Sequence, residues 1–344
     1  MGMRGQVYKT HSDFYYVNIS GDIYECKMRE ILKKQKEKIM VGNFVEVDEI
    51  NAARKTGVIK CIYPPKNFLT RPSVANVEQV VIISSIKEPD LDFEQLNRYI
   101  CFAKYHKIKT KLCFNKNDLS EDDSVIEKVF EIYEPLGFEI VFTSALEKLG
   151  IEDFVELLGN KTTVFCGNSG VGKSSLINTI APGVNIKTKE VSEKTSRGVH
   201  TTRHCEIIEI GKRKEERGKG IKIIDTPGFS NLKFDFLMPN EVDDLFDDIK
   251  KYKSGCKFKD CLHITEEGCN VLANVDNIDL SRYQSYLSFV QEAKDYKEKV
   301  KQQGTKQETA HKETLSKKVA KISHRKREAS RSTKKQNIYK DLDL

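Results

Sequence analysis

What this chain lacks narrows it first. No apolar run in its 344 residues approaches the roughly 18 that a membrane-crossing helix needs. The opening stretch, with Arg4 and Gln6, has no apolar core of the kind a secretory signal carries. The expectation is a cytoplasmic protein without membrane partners. A disulfide framework is excluded as well, because the nine cysteines, at 26, 61, 101, 113, 166, 205, 256, 261 and 269, are odd in number and only the last three cluster. An excess of positive charge is missing from most of the chain: outside residues 291–344 there are 42 Lys and Arg against 43 Asp and Glu, whereas that tail holds 16 against 8. The formal net charge of +7 therefore resides in the tail, with His324-Arg325-Lys326-Arg327 and Lys334-Lys335. Such a segment attracts phosphate backbones by counterion release, or is a solvated helix or disordered extension.

What is present suits two or three domains, since 38% of the residues are hydrophobic and the length allows each a core. Up to residue 62, short strand-like runs at 5–8, 14–19, 22–26, 44–47 and 57–62 are separated by turn residues such as Ser20-Gly21. Five such runs with several aromatics predict a small β barrel of the oligonucleotide-binding (OB) type. Tyr63-Pro64-Pro65 marks a linker. Beyond residue 72 the pattern predicts strands at 79–86, 111–114, 139–143, 162–166 and 221–224 and a helix at 94–106. Strands alternating with helices make a mostly parallel α/β sheet, with ligands at the carboxyl ends of the strands.

The motifs sit at those ends. Gly167-Asn168-Ser169-Gly170-Val171-Gly172-Lys173-Ser174, followed by Ser175, is a phosphate loop. Its backbone N–H groups suit the α and β phosphates of a nucleotide, Lys173 the β and γ phosphates, and Ser174 a Mg²⁺ ion. Asn115-Lys116-Asn117-Asp118 is a base-reading motif. The Asp118 carboxylate accepts two hydrogen bonds from guanine N1–H and its exocyclic amine, a donor pair adenine lacks. Asn115 bridges base edge and phosphate loop, the Lys116 stem covers the ring, and the Ser144-Ala145 backbone meets O6. Asp225-Thr226-Pro227-Gly228 is expected around Mg²⁺ and the γ phosphate, with Gly228 N–H facing that phosphate. These are the parts of a GTP-binding domain in permuted order, the base-reading motif ahead of the phosphate loop. The residue after Gly228 is Phe229, where many GTPases place a water-orienting glutamine. His200, in Gly198-Val199-His200-Thr201-Thr202, is the candidate to orient or deprotonate water, or else only shapes its loop. Thr201 or Thr202, preferably Thr202, is expected to meet Mg²⁺ and the γ phosphate. The catalytic candidates are thus His200, Thr202 and Lys173.

Cys256, Cys261, His263 and Cys269 form a Cys₃His set suited to tetrahedral Zn²⁺. Four ligands leave no open position, so the expected role is structural. Residues 282–302 predict a helix in which Tyr283, Tyr286, Leu287, Phe289 and Val290 serve packing.

Together these residues resemble one family, the circularly permuted, small-ribosomal-subunit-dependent GTPases known as RsgA or YjeQ. The resemblance covers residues 1–290. Besides the motifs above it rests on Asn67-Phe68-Leu69-Thr70-Arg71-Pro72 and Ala75-Asn76-Val77-Glu78-Gln79. It implies an OB-type β barrel over residues 1–66, a circularly permuted α/β P-loop GTPase domain over 67–235, a mostly helical zinc-binding domain over 236–290, and a basic extension over 291–344. It also implies a monomer that takes GTP and GDP, binds the small ribosomal subunit and its rRNA late in maturation, hydrolyses GTP faster in its presence, and uses His200 in hydrolysis. The basic insertion 211–220 and the long tail depart from the family pattern. A competing reading makes the chain an RNA-binding module with GTP as a structural ligand. A P-loop kinase or ATPase is disfavoured by Asn-Lys-Asn-Asp.

Overall fold

The computed structural model describes residues 2–35, 37–70, 72–181, 205–210, 220–225, 232–234, 236–302, 311–314 and 317–320. The chain divides into two compact units, Met1–Leu232 and Lys233–Leu344. Unit one opens with strands β1 (Met3–His11), β2 (Phe14–Ile19) and β3 (Asp22–Met28), the short helix α1 (Glu30–Lys34), then β4 (Phe44–Asn51) and β5 (Thr56–Ile62). Residue alternation sets the inner face: Tyr24, Cys26 and Met28 of β3 point inward while their neighbours are exposed. The strands pair in the order β1-β2-β3-β5-β4, and β4 returns to β1 with Val45 opposite Gly5. This closes the expected five-stranded barrel. Val7, Val17, Ile19, Val45, Val47 and Ile59 fill it, each aliphatic side chain contributing about 1.5–3 kcal/mol by leaving water.

The linker is an ordered hairpin of β6 (Phe68–Leu69) and β7 (Val74–Ala75), fastened to the barrel by the Ala75 N–H donating to Val41 O at 2.8 Å. Asn67 exchanges two hydrogen bonds with Val77, both 2.8 Å, and Asn76 Nδ2 donates to Gly42 O at 2.9 Å. Gly42 has φ +91°, and a Cβ there would stand 2.0 Å from Ala75 O, so only glycine lets hairpin and barrel meet.

The α/β domain runs β8 (Gln79–Ser85), α2 (Phe93–Tyr105), β9 (Lys109–Asn115), α3 (Ser124–Tyr133), β10 (Ile140–Phe142), α4 (Ile151–Leu158), β11 (Thr162–Cys166), α5 (Lys173–Ile180), β12 (Glu206–Ile210) and β13 (Ile221–Asp225). Its strand order is β10-β9-β8-β11-β13-β12, parallel except for the antiparallel β12. β8 is buried along nearly its whole length, as strands covered on both faces are. Permutation is visible in the topology: the strand feeding the phosphate loop, β11, is fourth among the strands of this domain yet lies between β8 and β13.

Beyond β12 the sheet continues into the barrel. Lys9 of β1 lies opposite Glu206 of β12, giving eleven strands in one sheet. Lys9 and Glu206 also form an ion pair at 2.8 Å, but each side chain is 44% exposed, so the pair contributes only about 0–1 kcal/mol. More sheltered contacts support the join: Tyr8 OH donates to Glu209 at 3.1 Å and Lys222 donates to Gln6 at 2.9 Å.

Unit two is built on α6 (Asp247–Lys253) and α7 (Leu280–Gln302), with 3₁₀ turns at Pro239–Glu241, Asp243–Leu245 and Leu272–Asn277. Phe234, Phe246, Tyr286 and Phe289 are its buried aromatic core. Tyr286, Phe289 and Val290 are packing residues, as the sequence predicts. A hairpin of β14 (His311–Thr314) and β15 (Lys317–Ala320) follows, while His324-Arg325-Lys326-Arg327 lies outside the described residues.

Candidate nucleotide-binding site and metal centre

β8, β9, β11 and β13 run parallel, so their carboxyl ends share one edge of the sheet. Asn115 ends β9 and is 2% exposed. Its Nδ2 donates to Val171 O in the phosphate loop at 2.9 Å, and its Oδ1 accepts from Thr143 Oγ1 and the Ala145 N–H, both at 3.1 Å. One side chain thus ties loop 167–172 to the Ser144-Ala145 turn. The Ala145 N–H, expected to face O6, is donated to Asn115 here. Thr143, which no motif marks, is the third member of this junction.

Lys116 takes a left-handed φ of 61° and its ammonium donates to Glu88 O. Asn117 Oδ1 and Asp118 Oδ1 are buried without a hydrogen-bond partner among the described residues. An unmatched buried acceptor costs about 1–3 kcal/mol, and more when charged. These oxygens therefore fit a ligand that presents N–H donors, which is what a guanine edge does.

The phosphate loop leaves β11 through Gly167. A Cβ there would lie 2.0 Å from Ile83 O, and one on Gly172 would lie 2.2 Å from Asn115 Nδ2. Both glycines have positive φ, as does Gly170. The loop is therefore a cradle that only bare backbone can form. Lys173 Nζ donates to Gly167 O at 2.8 Å and Asn168 O at 2.6 Å, so its ammonium lies folded against the loop. Ser174 and Ser175 occupy the first turn of α5, whose N-terminus favours anions. Asp225 is the last residue of β13, opposite Glu206 of β12. His200, Thr201, Thr202 and Gly228 lie outside the described residues.

In unit two the Cys₃His set comes together. One ligand atom from each of Cys256, Cys261, His263 and Cys269 lies within 4.8 Å of the others. Zn–S bonds of about 2.3 Å and a Zn–N bond of about 2.0 Å, arranged tetrahedrally, put sulfurs about 3.8 Å apart and sulfur about 3.5 Å from nitrogen. The observed separations are 3.9 Å for Cys256–Cys269, and 3.6 and 3.3 Å from His263 Nδ1 to Cys256 and Cys269. The set fits a metal ion of this kind.

Residues the sequence does not single out hold it in place. Asp243 Oδ2 lies 3.3 Å from His263 Nε2, orienting the ring so that Nδ1 faces the thiols. Tyr283 and Tyr286 donate to the carbonyls of His263 and Leu262 at 2.7 and 2.8 Å. Burial opposes charge on Glu266, but backbone N–H groups of Ile264, Leu262 and Thr265 outweigh it and hold the carboxyl at about 2. It thereby pins the loop carrying His263, whose own φ is 56°. Spacing reveals ligands; it carries no trace of Asp243, which is distant in sequence.

The RsgA GTPase family model matches residues 62–235, and the RsgA N-terminal domain model matches residues 4–59. The chain belongs to the RsgA GTPase family. It is accordingly a GTP hydrolase, with Mg²⁺ accompanying the nucleotide, and the passive-ligand reading is set aside. A protein of Alkaliphilus metalliredigens named small ribosomal subunit biogenesis GTPase RsgA is 41% identical over 85% of this chain and 98% of its own length. A namesake from Clostridium acetobutylicum is 39% identical over 83% and 96%. Among solved structures, YjeQ from Thermotoga maritima aligns with a TM-score of 0.71 and 32% identity, covering 85% of this chain and 99% of that one. YloQ, described as a circularly permuted GTPase, gives 0.68 and 32% over 86% and 96%. A model described as a 50S ribosome-binding GTPase also matches residues 162–317.

Proposed function

We propose that this RsgA-family GTPase acts in ribosome biogenesis by binding the small subunit late in its maturation, and that GTP hydrolysis is coupled to its own release. The relatives' name carries the process, and the chain spans 98% of the Alkaliphilus protein that bears it. The observation that favours coupling is the seam: barrel strand β1 pairs with β12, and β12 begins directly after the segment containing His200-Thr201-Thr202. RNA held by the barrel thereby acts on a strand contiguous with the hydrolytic segment.

Within this reading Asn115, Lys116, Asn117 and Asp118, with Ser144 and Ala145, read guanine. Residues Gly167 to Ser175 hold the phosphates. Lys173 neutralises them, Ser174 and Thr202 ligate Mg²⁺, and Asp225 and Gly228 complete that side. His200 orients the attacking water. The Cys₃His ion is Zn²⁺ and structural.

The test is GTP turnover by the full chain alone, with small subunits and with large subunits, for the native protein and His200→Ala. Stimulation by small subunits alone, lost in the variant, is expected. Equal or greater stimulation by large subunits, to which the third family model points, would reject the partner. A His200→Ala variant with unchanged stimulated turnover would reject the histidine's role.

A further inference from the structure

We propose that Tyr99 is a positioning residue for the phosphate loop: through its hydrogen bond to Asn168 it fixes the peptide that Lys173 grips, and so sets nucleotide affinity without touching the nucleotide. The proposal rests on reading Gly167 to Ser175 as the phosphate site.

Tyr99 belongs to α2, is 2% exposed, and donates its hydroxyl to Asn168 Oδ1 at 2.8 Å. The carbonyl of the same Asn168 accepts from Lys173 Nζ at 2.6 Å. Asn168 is therefore held from both ends, side chain by the helix and main chain by the lysine. The phosphate-loop pattern leaves this position free, so the contact is a property of this chain's tertiary structure. Burial raises the Tyr99 phenol well above its ordinary range, which keeps it a donor.

The helix is itself a firm support. Three successive residues of α2 reach three separate segments: Asn97 Oδ1 accepts from Tyr133 of α3 at 2.9 Å, Arg98 Nη1 donates to Leu232 O at 3.3 Å, and Tyr99 holds the loop. Arg98 is in addition paired with Glu94 at 2.9 Å. Freed from Tyr99, the Asn168 peptide can rotate, and the Lys173 ammonium loses its hold on the Asn168 carbonyl. A less confined cation meets the phosphates less well. The β phosphate is common to GDP and GTP, so binding of both weakens, and because Lys173 itself is retained to meet the γ phosphate the effect on the chemical step is small.

The experiment compares Tyr99→Phe, Asn168→Ala, the double variant and Lys173→Ala in the full chain, by titration with a fluorescent GDP and by steady-state GTP turnover. Tyr99→Phe deletes one oxygen and opens no large cavity. It is expected to raise the GDP Kd and the GTP KM together by about three- to tenfold, with kcat within about twofold. The double variant is expected to bind no worse than Asn168→Ala, because the two groups act through one contact. A Tyr99→Phe protein with a lower melting temperature but unchanged Kd and KM, or additive losses in the double variant, overturns the proposal. Normal GDP binding by Lys173→Ala overturns the phosphate-site reading instead, so the two failures are distinguishable.

Discussion

Asp118 shows how one atom sets selectivity. Its Oδ1 is buried with no partner among the described residues, and Asn117 Oδ1 beside it in sequence is in the same state. Guanine carries donors at N1 and the 2-amino group, whereas xanthine carries a carbonyl at position 2. Asp118→Asn replaces an acceptor by a donor, so preference is expected to shift from guanine to xanthine nucleotides by about 100-fold or more. Competition of XDP against GDP measures it, and unchanged selectivity would remove Asp118 from the base-reading role. Asn115 has a second task in the motif, since its side chain bonds to Val171 O, Thr143 Oγ1 and the Ala145 N–H and so joins loop and turn.

Helices α6 and α7 are joined by a buried ion pair. Arg282 Nε and Nη2 each lie 2.9 Å from an Asp248 carboxylate oxygen, and the guanidinium covers the Phe246 ring at 4.6 Å. The side chains are 2% and 8% exposed. Desolvating both charges offsets most of their attraction, so the pair itself adds little net stability. Arg282→Met, which strands the carboxylate, is expected to cost about 3–5 kcal/mol, whereas Arg282→Met with Asp248→Leu is expected to be near neutral. Denaturant titrations of both variants check this, and equal losses would show that the pair stabilises the unit directly.

For the molecule as a whole, the eleven-stranded sheet makes barrel and nucleotide domain parts of one unit, and the metal centre belongs to the other. Scanning calorimetry is therefore expected to show two transitions that respond to different ligands. GDP with Mg²⁺ at about 100 times its Kd adds about 2.7 kcal/mol to unit one alone. Without added nucleotide or Mg²⁺, a strong chelator is expected to lower only the transition of unit two, because a metal held by a short Cys₃His loop supplies folding energy. A chelator that shifts both transitions equally would contradict the separation.

Much of this was legible in the chain. All five barrel strands follow from alternation, and strand 162–166 coincides with β11, because period-two burial and continuous apolar runs are local signals. The metal ligands lie within 14 residues, so the chain has little freedom to keep them apart. Helices α3 and α4 and strand β12 carry no expectation, and β12 has Glu206 and Glu209 among only five residues. The sequence also says nothing of Tyr99 against Asn168, 69 positions apart, of Asp243 behind His263, or of Lys9 opposite Glu206. Motif chemistry is fixed by neighbours in the chain, which sequence alone determines. Which helix steadies the phosphate loop and which strand joins barrel to sheet depend on packing between distant segments, and only the tertiary structure decides those.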